Sequence, residues 1–349
     1  MRVHWGRCMN LPTLKGVLRS IVRTVRPCSA LVYCSIVLSF YGSAFAVAQA
    51  SETRVCLVIT GLGGLPEYEE NFLGWGSETQ TVFKDQLGSR VYYLDGRTQK
   101  KTDILNTFNT ISSSAFLDEV WIFLIGHASY DNRHYKFNIS GPDLTDDEIK
   151  NFLDSLGDTR VFLIAATSGS GILASELTQA NRVIVTATKS QNEKQPPLFM
   201  SFFLEAVVSA AADTDKSGRV SLLEAYLFSH QKVADWFEEK GRIQTEHALL
   251  EDNGRIRLGD KEDPLQENPA TRATLLASMA YLSPPLERIY TSRRGEELAG
   301  ERVRIEREIE DLKFRKTQLP EAAYYRQLEE LLVKLATLNE RIEEAEEER

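Results

Sequence analysis

Two loops of this chain carry side chains that could do acid–base and nucleophilic chemistry. His127 follows the apolar run 119–125, and the hydroxyl-rich turn 166–171 follows the apolar run 160–165. A histidine can act as a general base for a hydroxyl nucleophile, which here would be Ser168 or Thr167. The spacing alone also fits a simpler interpretation, in which His127 is an ordinary loop residue and the Ser–Gly run an ordinary turn.

A third loop, residues 213–224, matches the twelve-residue calcium loop of an EF-hand. Oxygen-bearing side chains stand at positions 1, 3, 5 and 12, a glycine stands at position 6, and position 7 offers its backbone carbonyl. The predicted ligands are Asp213, Asp215, Ser217, the carbonyl of Arg219, and Glu224. We expect calcium and no other cofactor. The alternative is a helix–turn–helix whose acidic turn binds no metal.

The elements that must position these loops alternate along the chain. Strands are predicted at 54–60, 90–94, 119–125, 160–165 and 182–188, and helices at 67–87, 101–114, 145–156 and 171–180. This alternation is typical of an α/β fold with a doubly wound, mostly parallel sheet. Ligands of such sheets bind beyond the carboxyl ends of the strands, where His127 and the turn 166–171 both fall.

The glycines at 61, 63 and 64 invite a dinucleotide-binding interpretation. That motif needs a third glycine where Pro66 stands, so we interpret the segment as a plain loop.

The two chemical motifs resemble those of the caspase–legumain clan of cysteine peptidases, over about residues 54–250. Residues 123–129 (FLIGHAS) match the strand and Gly-His turn of that family, with Ala128 for the usual glycine. The Ala-Cys-x-Ser-Gly motif of the family falls on the turn 166–171, where Ser168 or Thr167 replaces the cysteine, depending on the alignment. The resemblance implies a caspase-like fold and a peptide substrate, and the missing cysteine leaves open whether the chain is an enzyme.

Three functions follow from these motifs. The first is a pseudopeptidase that binds a peptide or protein partner in its cleft. The second is an active hydrolase with a dyad of His127 and Ser168 (or Thr167), for which the sequence fixes no orienting carboxylate, although Asp131 lies nearby in the chain. The third is a calcium-linked coiled-coil scaffold whose useful surface lies elsewhere.

The first fifty residues have the order of a secretory signal peptide. Six basic residues and no acid accompany an apolar run at about 30–48, and Ala-x-Ala sites crowd its end. We therefore expect a periplasmic or secreted protein that meets the membrane only through this segment; the alternative is an uncleaved anchor. Three of the four cysteines lie in the leader, and Cys56 alone remains after it.

The charge balance excludes one class of partner. The chain has 41 basic residues, so 41 − 6 = 35 remain after the leader against 50 acidic ones. Because such an acidic body repels phosphate backbones, we do not expect nucleic-acid binding.

The predicted domains are a signal peptide (1–50), the α/β domain (51–260), a linker with a short helix at 271–282 (261–290), and a helical hairpin or coiled coil (291–349). The last segment carries leucines and isoleucines at spacings of three and four on both sides of Pro320. Its two helices could fold back on each other or associate with a second copy. Packing against its own domain is the plainer alternative.

Overall fold

The computed structural model describes residues 53–209, 211–215, 217–259, 271, 275–283, 293–314 and 319–347. The predicted signal peptide and most of the predicted linker lie outside the described residues. Within the described ranges, no helix is both long and apolar enough to cross a membrane.

Parallel strands at the centre of the sheet form the frame of the α/β domain. The chain order is β1 (Arg54–Thr60), α1 (Pro66–Thr81, continued by a π-helical turn to Gln86), β2 (Arg90–Asp95), α2 (Lys101–Ser112), β3 (Glu119–Gly126), β4 (Ala128–Tyr130), β5 (Tyr135–Phe137), β6 (Leu144–Thr145), α3 (Asp146–Ser155), β7 (Arg160–Thr167), α4 (Leu173–Glu176), β8 (Arg182–Thr186), α5 (Phe199–Val208), α6 (Leu222–Glu239), β9 (Leu249–Asp252) and β10 (Ile256–Leu258). Two further helices, α7 (Arg293–Phe314) and α8 (Glu321–Glu347), follow near the end of the chain.

Seven of the described strands form one sheet in the order β10-β9-β8-β7-β3-β1-β2. The five strands from β8 to β2 are parallel to their neighbours, and β9 and β10 extend the sheet as an antiparallel hairpin. The predicted mixed α/β fold with a mostly parallel sheet is therefore confirmed. A separate three-stranded sheet, β4-β5-β6, begins directly after the carboxyl end of β3.

The central strands are apolar throughout because both faces of the sheet are covered. In β3, Trp121 and Phe123 point into the cluster formed with α1, α5 and α6, whereas Ile122 and Leu124 point into the cluster formed with α2 and α3. Helices therefore lie on both faces, as expected of a doubly wound sheet.

Two helix predictions need correction. The stretch 171–180 is a 3-10 turn followed by the single turn α4, and it ends at Leu177, whose carbonyl accepts a hydrogen bond from the buried Arg182. In 271–282, the described residues contain no α-helix, and Leu276–Ser278 form a 3-10 turn. There the Asp252 carboxylate binds two backbone amides, and the chain then pairs with residues 220–222 instead of continuing as a helix.

The C-terminal helices α7 and α8 pack against each other. Their described side chains share a buried cluster of Leu298, Ile305, Ile309, Leu338, Ile342 and Ala345. All of these except Ala345 belong to the two predicted apolar stripes, and within the described structure the helices fold back on one another.

Candidate functional site

His127 and the hydroxyl-rich turn meet at the carboxyl edge of the sheet. β3 and β7 are parallel neighbours, and Gly126 at the end of β3 pairs with Thr167 at the end of β7. His127 and Ser168 are therefore the next residues after paired strand ends. The loop after β1 reaches the same edge, because Thr60 pairs with Ile125 of β3.

The His127 ring is oriented by a backbone carbonyl. Its Nε2 lies 2.9 Å from the carbonyl oxygen of Gly63, in the loop after β1, so Nε2 carries the proton and donates it to that oxygen. The rings of Tyr68 and Phe72 contact the imidazole edge-on, at centroid distances of 5.5 Å and 5.2 Å. This arrangement selects one tautomer and leaves Nδ1 with its lone pair.

His127 is set up as a neutral base. Burial lowers the pKa of its imidazole below the ordinary value, against the opposing effect of the Gly63 carbonyl. Among the described residues, Nδ1 makes no hydrogen bond. Asp131 does not orient this ring: its carboxylate binds Lys136 and the amides of Arg133 and His134. The Gly63 carbonyl, which the sequence interpretation assigned to a plain loop, takes the orienting role.

The Ser168 hydroxyl is engaged by the backbone of β4. Its Oγ accepts the amide N–H of Ala128 at 3.1 Å and donates to the carbonyl of the same residue at 3.0 Å. Only 3% of the Ser168 surface is exposed. The hydroxyl thus makes the two hydrogen bonds that a neighbouring strand would otherwise make to Ala128. In the described structure it makes no hydrogen bond to His127.

Thr167 is also committed to the interior. Its Oγ1 lies 2.7 Å from the hydroxyl of Tyr135 in β5, and both residues are fully buried. Burial raises the pKa of the Tyr135 phenol far above its ordinary value, so the pair is neutral. Ser170, which was not predicted, donates to the Thr167 carbonyl and lies 3.1 Å from the Thr188 hydroxyl. These buried hydroxyl bonds fix the turn beneath the site.

Glu193 and His247 form a pair beside this turn, although they are 54 residues apart in the sequence. The carbonyl of Glu193 accepts the amide of Gly169, and its carboxylate binds Nδ1 of His247. Gly169 itself needs glycine because its φ is +63°. The adjacent Glu246 is buried and accepts the amides of Leu198 and Phe199 at the start of α5. Burial raises the pKa of Glu246 to about 7.

The predicted calcium ligands lie together in one loop. Carboxylate oxygens of Asp213, Asp215 and Glu224 lie within 4.8 Å of one another, which suits a single ion whose oxygen ligands stand about 2.3–2.6 Å away. Asp213 accepts the amides of Ser217 and Gly218, and the Ser217 hydroxyl lies 3.1 Å from the Arg219 carbonyl.

Glu224 closes this loop. One of its oxygens accepts the amides of Thr214 and Asp215, and the other accepts the amide and hydroxyl of Ser221 at the start of α6. These bonds, with a further one from the Thr214 hydroxyl, engage both lone pairs of each Glu224 oxygen, so a bound ion would have to displace some of these donors. The all-oxygen ligand set and the spacing of the three carboxylates fit calcium.

Comparisons with known proteins give a limited result. No protein-family model matches the chain, and no curated protein matches it. Among solved structures, it is similar to the Drosophila initiator caspase Dronc, with 12% sequence identity and a TM-score of 0.43. That match covers 61% of this chain and 86% of that one. At this level the similarity says nothing about which side chains act.

Proposed function

We propose that this chain is an exported homologue of the caspase–legumain peptidases that binds a peptide or protein segment without cleaving it. The observation that carries the proposal is the state of the two hydroxyls at the nucleophile position. Ser168 bonds to both backbone groups of Ala128, and Thr167 bonds to Tyr135 inside the core. A nucleophile must reach the substrate carbonyl and give its proton to a base, and neither hydroxyl is placed to do so.

An exposed strand edge supports the binding half of the proposal. β4 is one of the two edge strands of the small sheet. On either side of it, the His127 carbonyl accepts the amide of Asn138 and the Asp131 amide donates to the carbonyl of His134, so these two positions face β5. Because these positions alternate along an antiparallel pair, the amides and carbonyls of Ala128 and Tyr130 point away from β5. The Ser168 hydroxyl bonds to the outward-pointing amide and carbonyl of Ala128. The outward-pointing amide and carbonyl of Tyr130 suit an extended peptide that adds a strand beside His127.

Labelling of the exported protein with a serine-reactive fluorophosphonate, read by intact mass, tests the inactive half. We expect no adduct on protein that circular dichroism shows to be folded. An adduct mapped to Ser168 or Thr167, and lost in His127→Ala, would replace this proposal with the active hydrolase dyad.

Binding is tested with peptides selected against the protein by display. Tyr130→Pro removes an amide N–H that points away from β5, at an edge position where proline can be accommodated. We expect this variant to weaken the selected peptides at least about tenfold, since it removes a main-chain hydrogen bond of the added strand. Ser129→Ala is the matched control. Equal binding by Tyr130→Pro and wild type would contradict the strand-addition mode.

We also propose that the loop 213–224 binds calcium, as the convergence of Asp213, Asp215 and Glu224 favours. The ion would be held by these carboxylates with the Ser217 hydroxyl and the Arg219 carbonyl, and it would neutralise a cluster of three acids. Its structural role would be to fix the start of α6, where Glu224 already bonds to Ser221. A calcium-linked scaffold would need only this loop and the C-terminal helices.

A further inference from the structure

The segment 275–283, the strap, runs beside the loop 213–224. Near its start, two of its backbone amides donate to the Asp252 carboxylate at the end of β9. Near its end, the strap pairs with residues 220–222 of the loop. Its apolar side chains belong to the core, where they are buried: Leu275, Leu276, Ala277, Ala280 and Leu282. The strap therefore connects the edge of the large sheet to the second half of the loop.

The strap fixes the peptide group between Arg219 and Val220. The Val220 N–H donates to the Ser283 hydroxyl at 2.8 Å. This peptide is trans, so its carbonyl oxygen and its N–H point in opposite directions. The Arg219 carbonyl therefore points away from Ser283 and toward Ser217, whose hydroxyl lies 3.1 Å from it. Because this carbonyl is a predicted calcium ligand, Ser283 sets the direction of a ligand that it does not contact.

The next peptide group of the loop is held in the same way. Its carbonyl, that of Val220, accepts the amide of Leu282 at 2.8 Å. Its N–H, that of Ser221, points the other way and donates to the Glu224 carboxylate at 3.0 Å. Glu224 is the predicted ligand at position 12 of the loop. Two consecutive peptide groups thus bond to the strap on one side and to predicted ligand residues on the other.

We propose that Ser283 is a positioning residue of the calcium site and that the strap and the ion stabilise each other. The proposal rests on the calcium binding already proposed for the loop 213–224. Without the Ser283 hydroxyl, the Arg219 carbonyl loses the bond that directs it, and orienting it then costs part of the free energy of binding. By linkage, the bound ion strengthens the pairing of the strap with the loop by the same factor.

Calorimetric titration of residues 51–349 with calcium tests the positioning role. Ser283→Ala removes the acceptor of the Val220 amide, so the Kd should rise about fivefold, which is the effect of one hydrogen bond. Ser283→Thr keeps a hydroxyl and should bind within about twofold of wild type. The free energy of unfolding in chelator is measured for each variant, so that a loss of stability alone is recognised.

Ser278→Ala is the matched control within the strap. Ser278 is also half-buried, but its hydroxyl donates to the carbonyl of Leu275 and makes no bond to the loop among the described residues. This variant should leave the calcium Kd unchanged, whatever it does to stability in chelator.

Amide hydrogen exchange of the wild-type protein tests the reciprocal effect without a variant. Calcium should slow exchange in residues 279–283, which pair with the loop, more than in α2, which packs on the other face of the sheet. Asp215→Asn lacks one predicted ligand, so it should lose most of this difference.

Equal calcium affinity of Ser283→Ala and wild type would overturn the proposal. So would a Ser283→Thr variant that binds as weakly as Ser283→Ala, or equal slowing of exchange in the strap and in α2. In each of these cases the loop still binds calcium, so the metal function proposed for it stands. Absence of calcium binding by wild type would instead remove both proposals. If circular dichroism shows that Ser283→Ala is not folded, the exchange experiment decides.

Discussion

Replacing Ser168 with alanine should cost stability, because its hydroxyl is a structural partner of β4. The change leaves the amide and the carbonyl of Ala128 without their partner in a site that is 3% exposed at residue 168. A buried group left unsatisfied costs about 1–3 kcal/mol, and β4 is an edge that water can partly reach. We therefore expect a loss of about 1–2 kcal/mol in the free energy of unfolding.

Urea unfolding measures this loss as a lower midpoint with an unchanged slope. Ser129→Ala is the control, since that serine is exposed on the neighbouring position of β4 and should change stability by no more than about 0.5 kcal/mol. If Ser168→Ala is as stable as Ser129→Ala, the Ser168 hydroxyl is not held by Ala128. It would then be free to act as a nucleophile.

Three other predictions follow from the same structure. Thr167→Val strands the Tyr135 hydroxyl and should cost about 1–3 kcal/mol, whereas Thr167→Val/Tyr135→Phe should cost less than the sum of the singles, measured as a double-mutant cycle. Burial raises the pKa of Glu246 to about 7, so the folded protein holds that proton more tightly than the unfolded chain. The stabilisation that this proton provides is complete below about pH 4.5 and is lost as the pH rises through about 7. The free energy of unfolding of Glu246→Gln, measured relative to wild type, should therefore increase between pH 5 and pH 8. Calcium at ten times its Kd should stabilise the protein by about 1.4 kcal/mol, seen as a higher Tm that Asp215→Asn reduces.

Each of these has an outcome that contradicts it. Strictly additive costs at 167 and 135 would show that the two hydroxyls do not interact. An effect of Glu246→Gln that is the same at pH 5 and pH 8 would show that this carboxyl does not titrate in the folded protein over that range. A Tm that 5 mM calcium leaves unchanged, with no heat of binding that is lost in Glu224→Ala, would remove the metal proposal.

The sequence predicts the sheet well because its central strands are continuous apolar runs buried on both faces. The same parallel topology explains why His127 and the turn 166–171, more than thirty residues apart, could be placed at one edge. The helix expected at 171–180 fails for a tertiary reason. Gly171 presses against the backbone of Lys189 and Ser190, and Arg182 binds the carbonyl at which the segment ends.

The bonding of each site residue could not be predicted, because it depends on contacts without a local pattern. His127 is oriented by the backbone carbonyl of Gly63. Because every residue has such a carbonyl, the residue type at position 63 does not indicate this role. Thr167 is paired with Tyr135 because the small sheet β4-β5-β6 folds over the end of β3, and β5 is too short to be recognised from periodicity. The pairing of Glu193 with His247 likewise joins residues far apart in the chain.

Cleavage of a proteome-derived peptide library by residues 51–349 tests the central claim most directly. The assay is run with calcium and with chelator, beside His127→Ala, Ser168→Ala and Thr167→Ala. We predict no new peptide termini in any condition from protein that is shown to be folded. Cleavage that is lost in His127→Ala and in one of the two hydroxyl variants would contradict the claim and would identify the nucleophile.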